Sequence, residues 1–284
     1  MTALESVRAQ TCPPAEIIVV IDGPDPATES MLQTVRDSRL CVLALPAPVG
    51  GSEARNAGVR ASGGEWIAFL DDDDEWLPSK LEQQLAVLPR SGSEPIVSCR
   101  FIARTDAGDY IWPMRLPQPA QPLCEYLLTR PGLARSEGFV ATPTILARRS
   151  LLCRVPFRRG LKKHQDWDWV LRASREGAQL VFSPEVLVRC EMRTRGSVSR
   201  RADWRSSLRW IHESVQLVTR RAYGGFIATH VGWQAAEQRD WNAFLPLLRD
   251  AVRNGSPHPV DLLRYLGFWF APSVARRWLH RSAS

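Results

Sequence analysis

Nearly continuous apolar runs alternate with amphipathic stretches over the first two-thirds of the chain. Glu16–Ile21 (Glu-Ile-Ile-Val-Val-Ile) predicts a buried strand, broken by Asp22-Gly23-Pro24. A helix over 27–36 follows, with Met31, Leu32 and Val35 on one face, and Cys41–Leu45 reads as the next strand. After the loop Pro46–Gly51, Ser52 is the expected N-cap of a helix carrying Arg55, Asn56 and Val59, and Ser62-Gly63-Gly64 ends it. Trp66-Ile67-Ala68-Phe69-Leu70 is a third buried strand, and it runs straight into four consecutive aspartates, Asp71 to Asp74. Pro78 fits the first turn of a helix with Leu81, Leu85 and Leu88 at helical spacing.

Farther on, Ile96–Ala103 and Tyr110–Trp112 predict a hairpin, Pro113–Pro122 a loop, Leu123–Thr129 a short helix and Thr144–Ala147 a short strand. Gln165–Glu176 predicts a helix with Trp169, Val170 and Ala173 inward, ended by Gly177, and Gln179–Ser183 returns to the sheet. From about Ala202 the pattern is helical and rich in Trp and Arg. Strand–helix alternation with apolar strands implies an α/β fold with a mainly parallel central sheet over 1–200, and a helical C-terminal region over 201–284. One element breaks the pattern. The chain opens with a helix, Ala3–Gln10, where a doubly wound sheet begins with a strand.

Composition narrows the picture. At 284 residues and 44% hydrophobic, the chain suits one large globular domain or a domain with an appendage. No signal peptide is visible, and the longest apolar run, Leu262–Ala271, is short of a membrane span and contains Arg264. Six scattered cysteines without a CxxC pair give neither a zinc site nor a disulfide framework, which points to a reducing, cytoplasmic setting. The net charge of +7 resides in 200–284, where thirteen arginines face six acids. Two readings stay open for this region. One is a surface helix lying at the inner face of the cell membrane, with Leu262, Leu263, Tyr265, Leu266, Phe268, Trp269 and Phe270 near Arg264, Arg276, Arg277 and Arg281. The other is a solvated helical subdomain packed on the rest. The aromatics follow helical packing rather than a stacking stripe, so no nucleic-acid partner is expected.

The aspartate cluster carries the chemistry. Like charges at the exit of a buried strand repel unless something neutralises them, and a hard divalent cation prefers carboxylate oxygens. Such a metal completes its shell with water and substrate phosphates. The plainer alternative is an acidic loop ahead of a helix, with Asp74 and Glu75 near its positive end. Asp22 and Asp71–Asp73 both sit at carboxyl ends of strands, where α/β sheets bind ligands.

Four segments, Glu16–Gly23, Gly51–Gly58 (Gly-Ser-Glu-Ala-Arg-Asn-Ala-Gly), Gly64–Pro78 and His164–Arg172 (His-Gln-Asp-Trp-Asp-Trp-Val-Leu-Arg), occur in an order that resembles family 2 glycosyltransferases. The resemblance covers about residues 3–200. It implies a GT-A-type fold that binds a nucleotide-diphosphate sugar, and inverting hexosyl transfer that depends on Mn²⁺ or Mg²⁺. By that resemblance Asp22, with Gly23, contacts the nucleotide base, and Arg55 borders the nucleotide. Asp71 or Asp72 contacts ribose or metal, Asp73 ligates the metal, and Asp166 is the catalytic base. Asp168 is a second candidate base, offset elsewhere on the helix. Trp76 and Trp167 either stack on a sugar or pack beneath the site. His164 reads as a partly exposed loop residue. The loop Arg189–Ser199 lacks the histidine some members carry, so Arg193 or Arg195 is the expected diphosphate contact.

The usual first strand is missing, and Asp22-Gly23-Pro24 stands where the family has Asp-Asp-Gly-Ser. Either the start was assigned too late, which is the favoured expectation, or the chain is truncated. The leading expectation is an enzyme that builds a cell-surface glycan, polysaccharide or glycolipid on a glycan or lipid-linked acceptor. The rival is a degenerate, non-catalytic member acting as a membrane- or partner-binding module.

Overall fold

The computed structural model describes residues 1–89, 94–106, 108–132, 137–193 and 203–272. Two compact units emerge, Met1–Asp109 with Val140–Glu191, and Tyr110–Phe139 with Met192–Ser284. The first unit begins with α1 (Thr2–Arg8), β1 (Ile17–Ile21), α2 (Pro26–Gln33), β2 (Leu40–Ala44), α3 (Gly51–Ala61), β3 (Trp66–Ala68), β4 (Glu75–Trp76), α4 (Lys80–Ala86) and β5 (Pro95–Thr105). The hairpin strand β6 (Gly108–Trp112) leads to α5 (Leu123–Leu128) of the second unit. The chain returns as β7 (Leu146–Arg148), α6 (Arg149–Arg154), α7 (Gln165–Arg175) and β8 (Gln179–Glu191).

The α/β architecture follows the alternation of the sequence. The long pairings, β1 with β2 and β5 with β8, are parallel. The short strands β7 and β4 run antiparallel to their neighbours in the order β3-β7-β5-β8-β4. β5 lies at the centre: Ile96, Val97, Cys99, Phe101 and Ala103 are fully buried. Burial of this run supplies the main driving force for the sheet, about 1.5–3 kcal/mol for each large apolar side chain.

Three local expectations are corrected. β8 runs thirteen residues to Glu191 rather than ending at Ser183. Pro184 and Glu185 interrupt its apolar run, and a register shift after Ser183↔Cys99 lets pairing resume at Val186↔Arg100. The N-cap of α3 is Gly50 at φ 85°, and Ser52 is instead buried in the first turn. On α4 the inward positions are Lys80, Leu81 and Gln84, and Leu85 is exposed.

Lys80 is inward because it has partners there. Its ammonium sits 4.3 Å from the centre of the Trp76 ring and donates to Gln84 Oε1 at 2.5 Å. Gln84 in turn donates to the Thr144 carbonyl at 2.7 Å. Burial holds the amine down at about 8, against 10.5 for a solvated lysine. Between those values the folded chain binds fewer protons than the unfolded one, so stability rises with pH across that window. In Lys80→Met this rise should be absent from the difference in denaturation midpoints measured from pH 8 to 10.5.

The second unit is helical. α8 (Trp204–Glu213) precedes α9 (Arg220–Phe226), which continues through a π-helical turn, Ile227–Val231, into α10 (Gly232–Glu237). α11 (Phe244–Arg253) and α12 (Pro259–Phe270) complete it. Trp210, Phe226, Ile227 and Tyr265 form its core. A Cβ at Gly232 would come within 2.5 Å of the Tyr265 ring, so glycine is what lets α10 and α12 close. Where the sequence suggests one boundary near 200, Tyr110–Phe139 belongs with these helices. Thr219 Oγ1 donates to Glu125 at 2.7 Å, and Arg264 Nε to the Gly132 carbonyl at 3.0 Å. Among the described residues no helix is long and apolar enough to cross a membrane.

Candidate active site

Three elements of the first unit meet around Phe157. Asn56 of α3 donates to the Phe157 carbonyl and accepts from its amide, both at 2.9 Å. The Phe157 ring stacks on Trp169 of α7 at 5.4 Å and meets the edge of Phe69 at 5.4 Å. Phe69 lies two residues before Asp71. Trp169 is fully buried and donates its Nε1 hydrogen to the Val155 carbonyl at 2.7 Å. This packing fixes the start of α7 against the end of β3, so the aspartate cluster and Asp166 approach each other although 95 positions separate Asp71 from Asp166.

Arg55 completes the junction. Its Nη2 donates to Asp71 Oδ1 at 2.6 Å and its Nη1 to Gln165 Oε1 at 2.7 Å. The guanidinium thus ties the first of the four aspartates to the residue before Asp166. Asp166 lies in the first turn of α7, half-buried, and accepts from the Trp167 amide at 2.9 Å. Burial pushes its carboxyl up to about 6, Asp71 adds to that, and the Trp167 amide and Arg55 oppose it. A carboxyl poised there is mainly ionised at neutral pH yet basic enough to take a proton. His164, half-buried, precedes α7 in a left-handed conformation (φ 61°) and stacks on Trp167 at 5.2 Å. Burial drives its imidazole down to about 3, so it is neutral.

The four aspartates have different surroundings. Asp71 is half-buried against Arg55, and Asp72 and Asp73 are exposed. Asp74 is buried and accepts the Glu191 amide of β8 at 2.8 Å. Burial, with Asp71 and Asp73 nearby, raises Asp74 to about 8, which keeps it protonated at neutral pH. A cavity of about 230 Å³ adjoins the cluster, lined by Asp72, Asp73, Asp74, Arg104, Arg189 and Glu191 among others. Asp74 and Glu75 do not serve a helix terminus. Glu75 is in β4, paired with Arg189 at 3.1 Å, and the next helix begins only at Lys80.

Other expected site residues fall as follows. The Asp22 carboxylate accepts the amides of Val49 and Gly50 at 2.6 and 2.8 Å, which holds the loop at the start of α3. Gly23 beside it, at φ 103°, lies against Pro48. Asp168 is fully buried between Arg158 and Arg172, at 2.6 and 2.8 Å. It therefore braces α7 and does not face solvent. Trp76 and Trp167 are both buried, and Trp76 donates to the Pro143 carbonyl at 3.2 Å, so both pack beneath the site. Arg193 is exposed and belongs to the second unit. Arg195 lies outside the described residues. Sequence reasoning missed Gln165, Asn56 and Phe157 as builders of the site. The first two stand beside residues that were chosen, and a polar residue next to a candidate base is the signal that could have found Gln165.

Comparison with known proteins bears on the fold and the family. The chain is 27% identical over 230 residues to the amylovoran biosynthesis glycosyltransferase AmsB of Erwinia amylovora, covering 78% of this chain and 75% of that protein. It is 33% identical over 82 residues to the UDP-Glc:α-D-GlcNAc-diphosphoundecaprenol β-1,3-glucosyltransferase WfaP of Escherichia coli, 29% of this chain and 33% of that one. The fold is similar to that of S. aureus TarS 1–349 in complex with UDP-GlcNAc, with a TM-score of 0.58 at 16% identity, over 98% of this chain and 79% of that one. The model of glycosyl transferase family 2 matches residues 2–155, which takes in α3, the aspartate cluster and strands β1 to β7. On that match, and with a GT-A-type α/β fold beneath it, the chain belongs to the family 2 glycosyltransferases.

Proposed function

We propose that the chain is an inverting, metal-dependent glycosyltransferase that moves a hexosyl group from a nucleotide-diphosphate sugar to a hydroxyl of a polysaccharide or lipid-linked glycan. The observation that carries this reading is the Arg55 bridge, which brings a half-buried carboxylate raised to about 6 next to an aspartate cluster. The names of the relatives support polysaccharide and glycolipid acceptors, and the UDP-sugars in the names of WfaP and the TarS complex favour uridine as the base.

Asp166 takes the proton of the acceptor hydroxyl as its oxygen attacks the anomeric carbon. Attack opposite the departing diphosphate inverts that carbon. Arg55 and Gln165 hold the first turn of α7 so that this carboxylate keeps its place beside the donor. The donor set fits a hard divalent cation: exposed Asp73 with Asp71, leaving further positions for water and phosphate oxygens. Among the described residues no group of three or more His, Cys, Asp and Glu side chains is arranged to hold a metal. When bound, Mn²⁺ or Mg²⁺ would offset the charge that develops on the leaving diphosphate.

Calorimetry with UDP, GDP and dTDP, with and without Mn²⁺, tests the reading. UDP is expected to bind only with the metal, and Asp73→Ala to lose that binding. A folded chain that binds none of the three in either condition would return the reading to a non-catalytic family member.

A further inference from the structure

α11 and α12 use one side for packing and leave another bare. α12 buries Tyr265, Phe268 and Trp269, while Leu263, Leu266 and Phe270, at spacings of three and four residues, are 48%, 42% and 64% exposed. Just before α11, Trp241 is 53% exposed and its ring lies 5.7 Å from that of Phe270. Leu245, one turn on, is 55% exposed. Phe244 and Trp269 support the patch from beneath, with ring centres 5.3 Å from Phe270 and 5.2 Å from Trp241 respectively. Five large apolar side chains in one such patch are more than the scattered exposure common on soluble surfaces.

The charges around the patch are mainly positive, with exposed Glu237 and the Asp250 carboxylate as the nearby acids not paired with an arginine among the described residues. Asp250 of α11 is bonded to His212 at 2.7 Å and to Tyr223 at 2.8 Å. Asp261 of α12 is paired with Arg221 at 2.5 Å. Asp240, beside Trp241, is paired with Arg205 at 2.7 Å. Arg239, Arg249 and Arg253 are exposed and have no acidic partner among the described residues. Arg249 stands one turn from Leu245, on the same helix face. An apolar face with aromatic residues and unneutralised arginines at its margin matches the boundary of an anionic bilayer, where the rings sit among acyl chains and the guanidinium groups meet phosphates.

We propose that Trp241, Leu245, Leu263, Leu266 and Phe270, with Arg239 and Arg249, form a docking surface for anionic lipid. This extends the reading of a lipid-linked acceptor to the place where the chain meets the membrane. The test needs no turnover, so either reading can fail alone.

The full chain is sedimented with phosphatidylcholine vesicles, with or without phosphatidylglycerol, at low and raised salt. Binding is expected only with phosphatidylglycerol, weakened by salt, and reduced about tenfold in both Leu266→Ser/Phe270→Ser and Arg249→Glu. These side chains are exposed, so circular dichroism of the variants should match the parent. The proposal is overturned if the parent stays in the supernatant with both vesicles, or if the Leu266→Ser/Phe270→Ser variant sediments like the parent. It is also overturned if light scattering shows a dimer that this variant dissolves without any vesicle binding, which would make the face a contact between two copies.

Discussion

Asp166→Asn is expected to reduce sugar transfer by about 10²–10⁴-fold while leaving nucleotide affinity within a few-fold. Asparagine has nearly the same shape and can still accept the Trp167 amide, as Asp166 does at 2.9 Å, so the first turn of α7 should stand. What it lacks is basicity at the position where the acceptor proton must go. The pH profile separates this role from a structural one. Asp166 titrates at about 6 because burial disfavours its charge. The active form is the ionised one, so kcat/KM should hold above that value and fall tenfold per unit below it. Residual transfer in Asp166→Asn should lack this acid limb. A variant with ordinary transfer rates, or a parent profile flat from pH 5 to 7, would remove Asp166 from the role of base.

Asp168→Ala, two positions on, is expected to damage the fold instead, at a cost of about 3–5 kcal/mol. Its carboxylate is fully buried and shared by Arg158 and Arg172. Removing it takes away the buried carboxylate that both arginines share at the edge of the core. Thermal denaturation of the variant should show a markedly lower midpoint, and transfer per folded molecule should stay near that of the parent at a temperature where both are folded. A loss of under about 1 kcal/mol would mean that water screens the two arginines well enough to make the pair dispensable. The two aspartates lie in the same first turn of one helix, and the difference between them is burial.

The elements most legible in the sequence are those whose patterns are governed by burial alone. β1, β3 and β5 are apolar runs, and α7 is an amphipathic helix ended by Gly177 at φ 95°. Patterns failed where a polar residue finds a buried partner. Leu81, Leu85 and Leu88 stood at helical spacing, but the Trp76 ring and the Thr144 carbonyl receive Lys80 and Gln84, and Leu85 is turned to solvent. β8 outran its expected end because a register shift accommodates Pro184 and Glu185, something pairing permits and propensity does not reveal. α6 and β4 were missed. The first is a short helix with arginine at both ends, and the second is two residues long. At the site, the residue types were visible from the motif order, but not the division of labour among the aspartates. Whether Asp74 is neutral depends on its burial beside Asp71 and Asp73, and whether Asp71 is engaged depends on Arg55, and both arise only in the folded chain.

The bonds that close the site have a temporal consequence. Arg55–Gln165, Asn56–Phe157 and Asp74–Glu191 join residues 110, 101 and 117 positions apart. Contacts of such long range form slowly, since each must first overcome the entropy of closing a large loop. At a synthesis rate of about 5–20 residues per second, the ribosome adds the residues between Asp74 and Glu191 in roughly 6–23 seconds. Throughout that interval the acidic cluster lacks the strand whose Glu191 amide binds Asp74, so a nascent chain carries the Asp74 carboxylate without that partner until β8 docks.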